Sequence, residues 1–168
     1  MKKINFGNLG AFINILSYAF GGILSIIGCS MILITLKKLS KEYNDESIFK
    51  NYLYAYILFV SGIVLSLFVF GSSAMKYLSN PQLLTIDTAV YLLIFGVIIY
   101  LSIVVGAHFI KKAYTNLSKY VNMDVFNKIG KLYFCGALLS IVGIGIIMVF
   151  IAQFLEVKAY SDISDKVK

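Results

Sequence analysis

The sequence predicts an all-α fold, a polytopic transmembrane four-helix bundle made of two αα-hairpins of the same topology. Three observations predict it. Of 168 residues, 60% are hydrophobic and only 14% charged, against about 25% charged in a soluble domain. Four windows, 9–36, 51–75, 88–110 and 132–155, contain no Asp, Glu, Lys or Arg. Two lysine-flanked stretches between those windows match each other. A spanning helix needs roughly 20 apolar residues for a hydrocarbon core of about 30 Å, and the windows hold 28, 25, 23 and 24. The alternating ten-residue segments of a membrane β-barrel are absent. In lipid each backbone N–H and C=O needs a partner within the chain, which leaves the helix.

The elements follow in order within one transmembrane domain, 1–168. Met1-Lys2-Lys3 before an apolar run resembles a signal peptide, but a 28-residue run exceeds the usual apolar region of about 7–15, so it reads as an uncleaved first helix. That helix covers about 9–39 and leaves the membrane near Lys37-Lys38, where lysines snorkel and favour the helix C-terminus. Residues 42–47 are the break, with Asn44 or Asp45 as N-cap of the second helix. The oxygen-rich run Asn44-Asp45-Glu46-Ser47 lacks the spacing of a calcium loop. The second helix covers about 47–75, with Tyr52, Tyr54 and Tyr56 suited to the headgroup level. It stops before Pro81, the single proline, which biases its predecessor away from helix. Asp87-Thr88 is the expected N-cap of a third helix over 88–118, ending at Lys111-Lys112 or continuing to about Tyr120. Asn122-Met123-Asp124 breaks the chain again before a fourth helix over 126–156. The polar C-terminal tail 157–168 is expected to be mobile.

All fifteen basic residues are lysines, and the net charge is +7. Nine fall in the connections after the first and third helices and six elsewhere. The positive-inside rule then places loops 37–50 and 111–131 in the cytoplasm, with both termini outside, in a multi-pass protein of the cell membrane. No basic face with interleaved aromatics stands clear of the membrane, so nucleic acid is not an expected partner.

The matching stretches are Leu39-Ser40-Lys41, Asn44 and Ile48-Phe49 before the second helix, and Leu117-Ser118-Lys119, Asn122 and Val125-Phe126 before the fourth. They read as an internal repeat related by an axis along the membrane normal, with Phe49 and Phe126 tucking each even helix under its partner. The run from Gly21 to Ala55, with Leu36-Lys37-Lys38-Leu39-Ser40, Tyr43-Asn44-Asp45 and Ser47-Ile48-Phe49-Lys50-Asn51, resembles the family catalogued as domain of unknown function 996, small membrane proteins mostly of archaea and bacteria. Phe126, Gly130, Leu132 and Gly136-Ala137-Leu138-Leu139 resemble its second half. The resemblance implies four spans; it supplies no activity and no site residues.

Chemistry is sparse. His108 is the single ionisable side chain within the windows apart from the phenols and thiols, and such residues within spans mark ion or substrate paths. A metal site needs more ligands, and a nucleophile needs a base; Cys29, Cys135 and His108 could share a depth, but no catalytic set, metal site or cofactor is expected. Cys29 and Cys135 read as packing residues, not a disulfide. Asn14, Tyr18 and Tyr100 are polar groups away from the belts, and a buried phenol needs a partner. Small residues, Gly21, Gly22, Ser25 and Gly28 in the first helix and Gly136, Ser140 and Gly143 in the fourth, favour close helix packing. The reading is a non-enzymatic structural or accessory subunit of a membrane assembly, partnered by the bilayer and by other subunits or itself, with no identifiable small-molecule ligand. A small channel or transporter is the alternative.

Overall fold

The computed structural model describes residues 5–20, 24–71 and 86–166. They form six helices and, among them, no strand. α1 is Asn5–Ser17, extended by a 3-10 turn at Tyr18–Phe20. α2 is Leu24–Glu42 and α3 is Glu46–Ser66, which runs on into a π turn at Leu67–Gly71. α4 is Ile86–Val121. α5 is Asp124–Leu139 with a 3-10 turn at Ser140–Val142, and α6 is Ile144–Lys166. Four segments are long and apolar enough to cross a membrane: Glu46–Val69, Thr88–Val121, Asp124–Val142 and Ile144–Ile163.

The windows expected to give single helices over 9–39 and 126–156 each contain two. In the first, α1 folds back on α2, so that Gly10 lies against the Gly28 carbonyl and the Met31 and Ile32 side chains. In the second, α5 turns at Gly143, whose φ of 79° is the left-handed conformation that glycine adopts freely. α6 then returns with Gly145 against the Gly136 carbonyl. A Cβ on Gly28, Gly136 or Gly145 would collide with the facing backbone or side chain, so these glycines set the spacing inside each hairpin. α6 also runs on past Glu156 to Lys166, where a polar tail was expected, because Ala159, Tyr160 and Ile163 are buried.

Each helix packs antiparallel on the next, and α6 closes the series on α1, with Gly7 against the Tyr160 ring. The result is a ring of six helices. Its junctions gather at one end. Asn44 (φ 52°) and Asn122 (φ 50°) both take the left-handed conformation, which asparagine tolerates better than most residues. Asp45 then caps α3 by accepting the Ser47 N–H at 2.9 Å. The Ser47 side chain and backbone beside Asp45 hold its carboxyl below the usual carboxylate range. Asn116 donates to the Ser47 hydroxyl at 2.7 Å, and Tyr43 stacks on Tyr120 with centroids 5.4 Å apart, which ties the two junctions together. Tyr52, expected in the headgroup belt, is buried in the core instead. Asp87 is itself helical, within α4, and is not its N-cap. The Pro81 loop, Gly21 and Gly22 lie outside the described residues.

The two hairpins also change where the chain ends. Lys38 sits over the Phe6 ring, and Tyr160 packs on Phe126. The start of α1 and the end of α6 therefore lie at the same end as connections 37–50 and 111–131, not opposite them as the four-helix reading required. All ten lysines with described side chains lie toward this end. The buried core lies there too: Leu36, Leu39, Ile48, Leu117, Phe126 and Ile129 are fully buried or nearly so, while the far halves of α3 and α4 expose Leu67, Phe68, Tyr91 and Leu93.

Gly145→Val should therefore lower stability by about 1–3 kcal/mol through overpacking. Gly62→Val, where an added Cβ meets nothing, should change it by less than about 0.5 kcal/mol. Thermal unfolding in mild detergent compares the two.

Candidate functional site

α6 presents Ala152, Gln153, Glu156, Ala159, Tyr160 and Ile163 to the interior as one buried stripe, at the spacing of a helix face. Glu156 is central in it and 1% exposed. Its carboxyl meets two phenols from neighbouring helices. Tyr114 of α4 donates to Oε1, and Tyr133 of α5 donates to Oε2 at 2.8 Å. Tyr160 lies one turn along, its hydroxyl 3.4 Å from that of Tyr114. Rings fill the remaining space: Tyr52 and Tyr114 have centroids 6.0 Å apart, Tyr114 and Phe126 5.8 Å, and Phe126 and Tyr160 5.5 Å.

Among the described residues no lysine or histidine forms an ion pair with Glu156; the ion pairs there are the exposed Lys50–Glu46 and Lys128–Asp124. An isolated buried charge costs several kcal/mol, and the compensation the site offers is the pair of phenol hydrogen bonds. Toward the hairpin tips the polar surface continues. Gln153 is 8% exposed, and its Oε1 has no hydrogen-bond partner among the described residues. Tyr18 interacts with the Gln153 side chain. Asn14, buried on α1, makes long contacts of 3.7 and 3.8 Å with Cys29 of α2, and Ser17 bonds back to the Asn14 carbonyl at 2.6 Å.

The structure brings Asn14 and Tyr18 to this polar seam and leaves other expected residues outside it. His108 is exposed, flanked by the rings of Phe109 and Phe134. Cys135 is exposed and unpaired, and Cys29 is a free thiol inside the ring, so Cys29 does not join the other two. Tyr100 donates to the Leu138 carbonyl at 3.0 Å, holding α4 to α5. Ser25 is half-buried, and Ser140 donates to the Ala137 carbonyl. Gly143 serves the turn, with open space about it. Among the described residues no group of three His, Cys, Asp or Glu side chains could hold a metal ion. An apolar groove of about 490 Å³ lies on α3, lined by Tyr56, Val60, Val64 and Phe68 among others; it is separate from Glu156.

Glu156 was missed because a carboxylate following an apolar run reads as a helix end. The apolar positions 159, 160 and 163, which continue the stripe of 152 and 156, carried the contrary signal.

A family model described as a protein of unknown function, DUF996, matches residues 24–154. The chain belongs to this family. It is also 40% identical over 162 residues to an uncharacterized protein of Methanocaldococcus jannaschii, covering 96% of this chain and 92% of the relative. No solved structure matches it. The matched range of the family ends two residues before Glu156 and takes in Tyr52, Tyr114, Tyr133 and Gln153.

Glu156→Gln, which keeps a polar group for both phenols, should stay folded. Glu156→Lys places a cation among hydroxyls with no anion and should cost several kcal/mol. Size-exclusion profiles and melting curves of the two variants check this.

Proposed function

We propose that this chain is a small transporter or channel of the cell membrane that passes a proton or small cation through its polar core. Glu156 carries the reading. A carboxyl in an apolar helix ring is energetically costly, and such residues line ion and proton paths in membrane proteins. Glu156 adds a buried carboxyl that a purely structural subunit has no use for.

The lysines support an orientation. Lys37 lies over Phe49, Lys111 lies beside Gly130 and over Phe134, and Tyr133 meets Glu156. Lys37, Lys50, Lys111, Lys131 and Lys158 thus mark one level around the ring, and the positive-inside rule puts it at the cytoplasmic interface with both termini on that side. From this level residues 51–71 and 88–110 reach about 32 and 35 Å at 1.5 Å per residue, enough for the hydrocarbon core. Residues 24–36, 132–142 and 144–155 reach only about 16–20 Å. α3 and α4 therefore cross fully, and the two hairpins end near mid-membrane. Their turns hold apolar residues such as Phe20, Ile141 and Val142, with no charge to draw them into water. Irregular backbone at that depth needs protein to line it, and Phe20, Ile141 and Val142, exposed in this chain, leave that lining to a second membrane subunit. The matching backbone at Asn44 and Asn122 supports reading the two junctions as copies of one repeat.

A structural or self-associating role has one observation in its favour: the far halves of α3 and α4 expose a continuous apolar surface that a second membrane subunit could cover. Enzymatic activity forms no part of the proposal.

Cysteines placed singly at Ala19 or Val142 should resist membrane-impermeant thiol reagents from both sides, in a background lacking Cys29 and Cys135, while one at Lys41 should react from the cytoplasmic side only. Labelling of a tip from the outside would replace the half-depth hairpins with full crossings. Purified protein in liposomes should show ion-driven flux of protons, sodium or potassium that is lost in Glu156→Gln. Flux of none of these would refute the transport reading.

A further inference from the structure

The surroundings of Glu156 discriminate among the small cations it could hold. A calcium ion takes six to eight oxygen ligands and magnesium an octahedron. Here each carboxyl oxygen already accepts a phenol proton, from Tyr114 and from Tyr133. Phe126 adds a ring against Tyr114 and Tyr160, and the oxygens nearest the carboxyl are the phenol hydroxyls of Tyr114, Tyr133 and Tyr160, where a cation cage would have carbonyls. The helix backbones around it spend their carbonyls within the helices. A proton needs one oxygen and no cage.

We propose that the species bound at Glu156 is a proton, exchanged with the cytoplasmic end through Tyr114 and Tyr160. The proposal rests on the transport reading for its purpose, but the binding site stands on this geometry. Titratable groups reach the site from every helix of the ring: Tyr18 of α1, Cys29 of α2, Tyr52 of α3, Tyr114 of α4, Tyr133 of α5 and Tyr160 of α6 itself. None is basic, so none competes for the proton by forming an ion pair. Tyr114 donates to Glu156 and lies 3.4 Å from the Tyr160 hydroxyl, which makes a two-step relay. A proton arriving on the Tyr160 oxygen releases the one Tyr160 held to the Tyr114 oxygen. Tyr114 releases its own to Oε1, and the carboxylate becomes a neutral acid. Both phenols end with one proton each; no electrons move and no carbon bond changes. On the side of the hairpin tips, Gln153 lies one turn along the same face, and its buried Oε1, without a partner among the described residues, offers a hydrogen-bond acceptor, with Tyr18 beside it.

Infrared difference spectroscopy on the full chain in nanodiscs, titrated across the pH range in which it stays folded, tests the site directly. The expected result is a protonated-carboxyl carbonyl band that appears on acidification, vanishes in Glu156→Gln and moves in Glu156→Asp. Glu156→Asp keeps the acid should the glutamine variant not fold. Absence of any such band, or a band unchanged in both variants, overturns the proposal. In liposomes with internal pH, sodium and potassium indicators, proton flux should be lost in Glu156→Gln and fall at least about tenfold in Tyr160→Phe, the scale of losing one proton-transfer group. Sodium or potassium flux that requires Glu156, without proton flux, overturns the proton and keeps the transport reading. Flux of no ion alongside a titrating Glu156 band ends the transport reading and keeps the proton site.

Discussion

Where Gly10 meets the Gly28 carbonyl and Gly145 meets the Gly136 carbonyl, two backbones lie closer than any residue with a Cβ permits. The path of the chain follows from that closeness. Each contact folds an apolar window back on itself, and each fold reverses the direction of everything beyond it. Without them α1 and α6 could not both end beside the Asn44 and Asn122 junctions, the ring could not close with Gly7 on Tyr160, and the Glu156 stripe would point at lipid. Small residues in membrane helices allow such approach because lipid offers no hydrophobic gain for helix association, and packing must supply it. The glycines therefore decide topology here as well as proximity.

The same constraint explains where polarity can be placed. A ring of six short elements encloses an interior, and a carboxyl inside it is shielded from lipid by its own neighbours. The phenols of Tyr114 and Tyr133 satisfy both oxygens of Glu156 without adding charge. They supply donors while keeping the rings that the core needs for packing. The lysines do the opposite work on the outside. Lys111 and Lys112 lie over Phe134 and Phe109, burying their stems and holding their ammonium groups at the surface. Acid inside and base outside at one level gives this protein a polarity across its radius as well as along its axis.

Much of this was legible before any coordinates. The uncharged windows and the Asn44 and Asn122 breaks are properties of residue order, and the helices around them fall where periodicity and caps put them. Asp45 as cap, and α4 running to Val121, lay among the stated alternatives. The hairpin turns were not legible, because hydropathy measures how far a segment is apolar and is blind to whether it bends. Gly143 reads from the sequence as a packing residue, and only its left-handed φ shows it to be a turn. Tyr52 was assigned to the headgroup belt for a related reason. A tyrosine near a helix start satisfies its hydroxyl at an interface or against a buried partner, and the sequence holds no record of which neighbour will arrive.

Glu156 is the instructive case. Its apolar run ends at Leu155, and counting charges stops the span there. Helical phase continues through it: Ala152, Ala159 and Tyr160 share its face, and a face that stays apolar on both sides of a carboxylate has to be buried on both sides. Once α6 is part of a closed ring, that burial sets the acid among the hydroxyls of Tyr114 and Tyr133. The tyrosines, abundant at twelve in this chain, then acquire a division of labour that composition alone could not assign. Some anchor at the surface, as Tyr54 does, half exposed beside Phe109. Others, Tyr114, Tyr133 and Tyr160, convert an apolar interior into one that tolerates a single ionisable group. A core that admits one acid and, among the described residues, no base differs in kind from a helix bundle held together by packing alone.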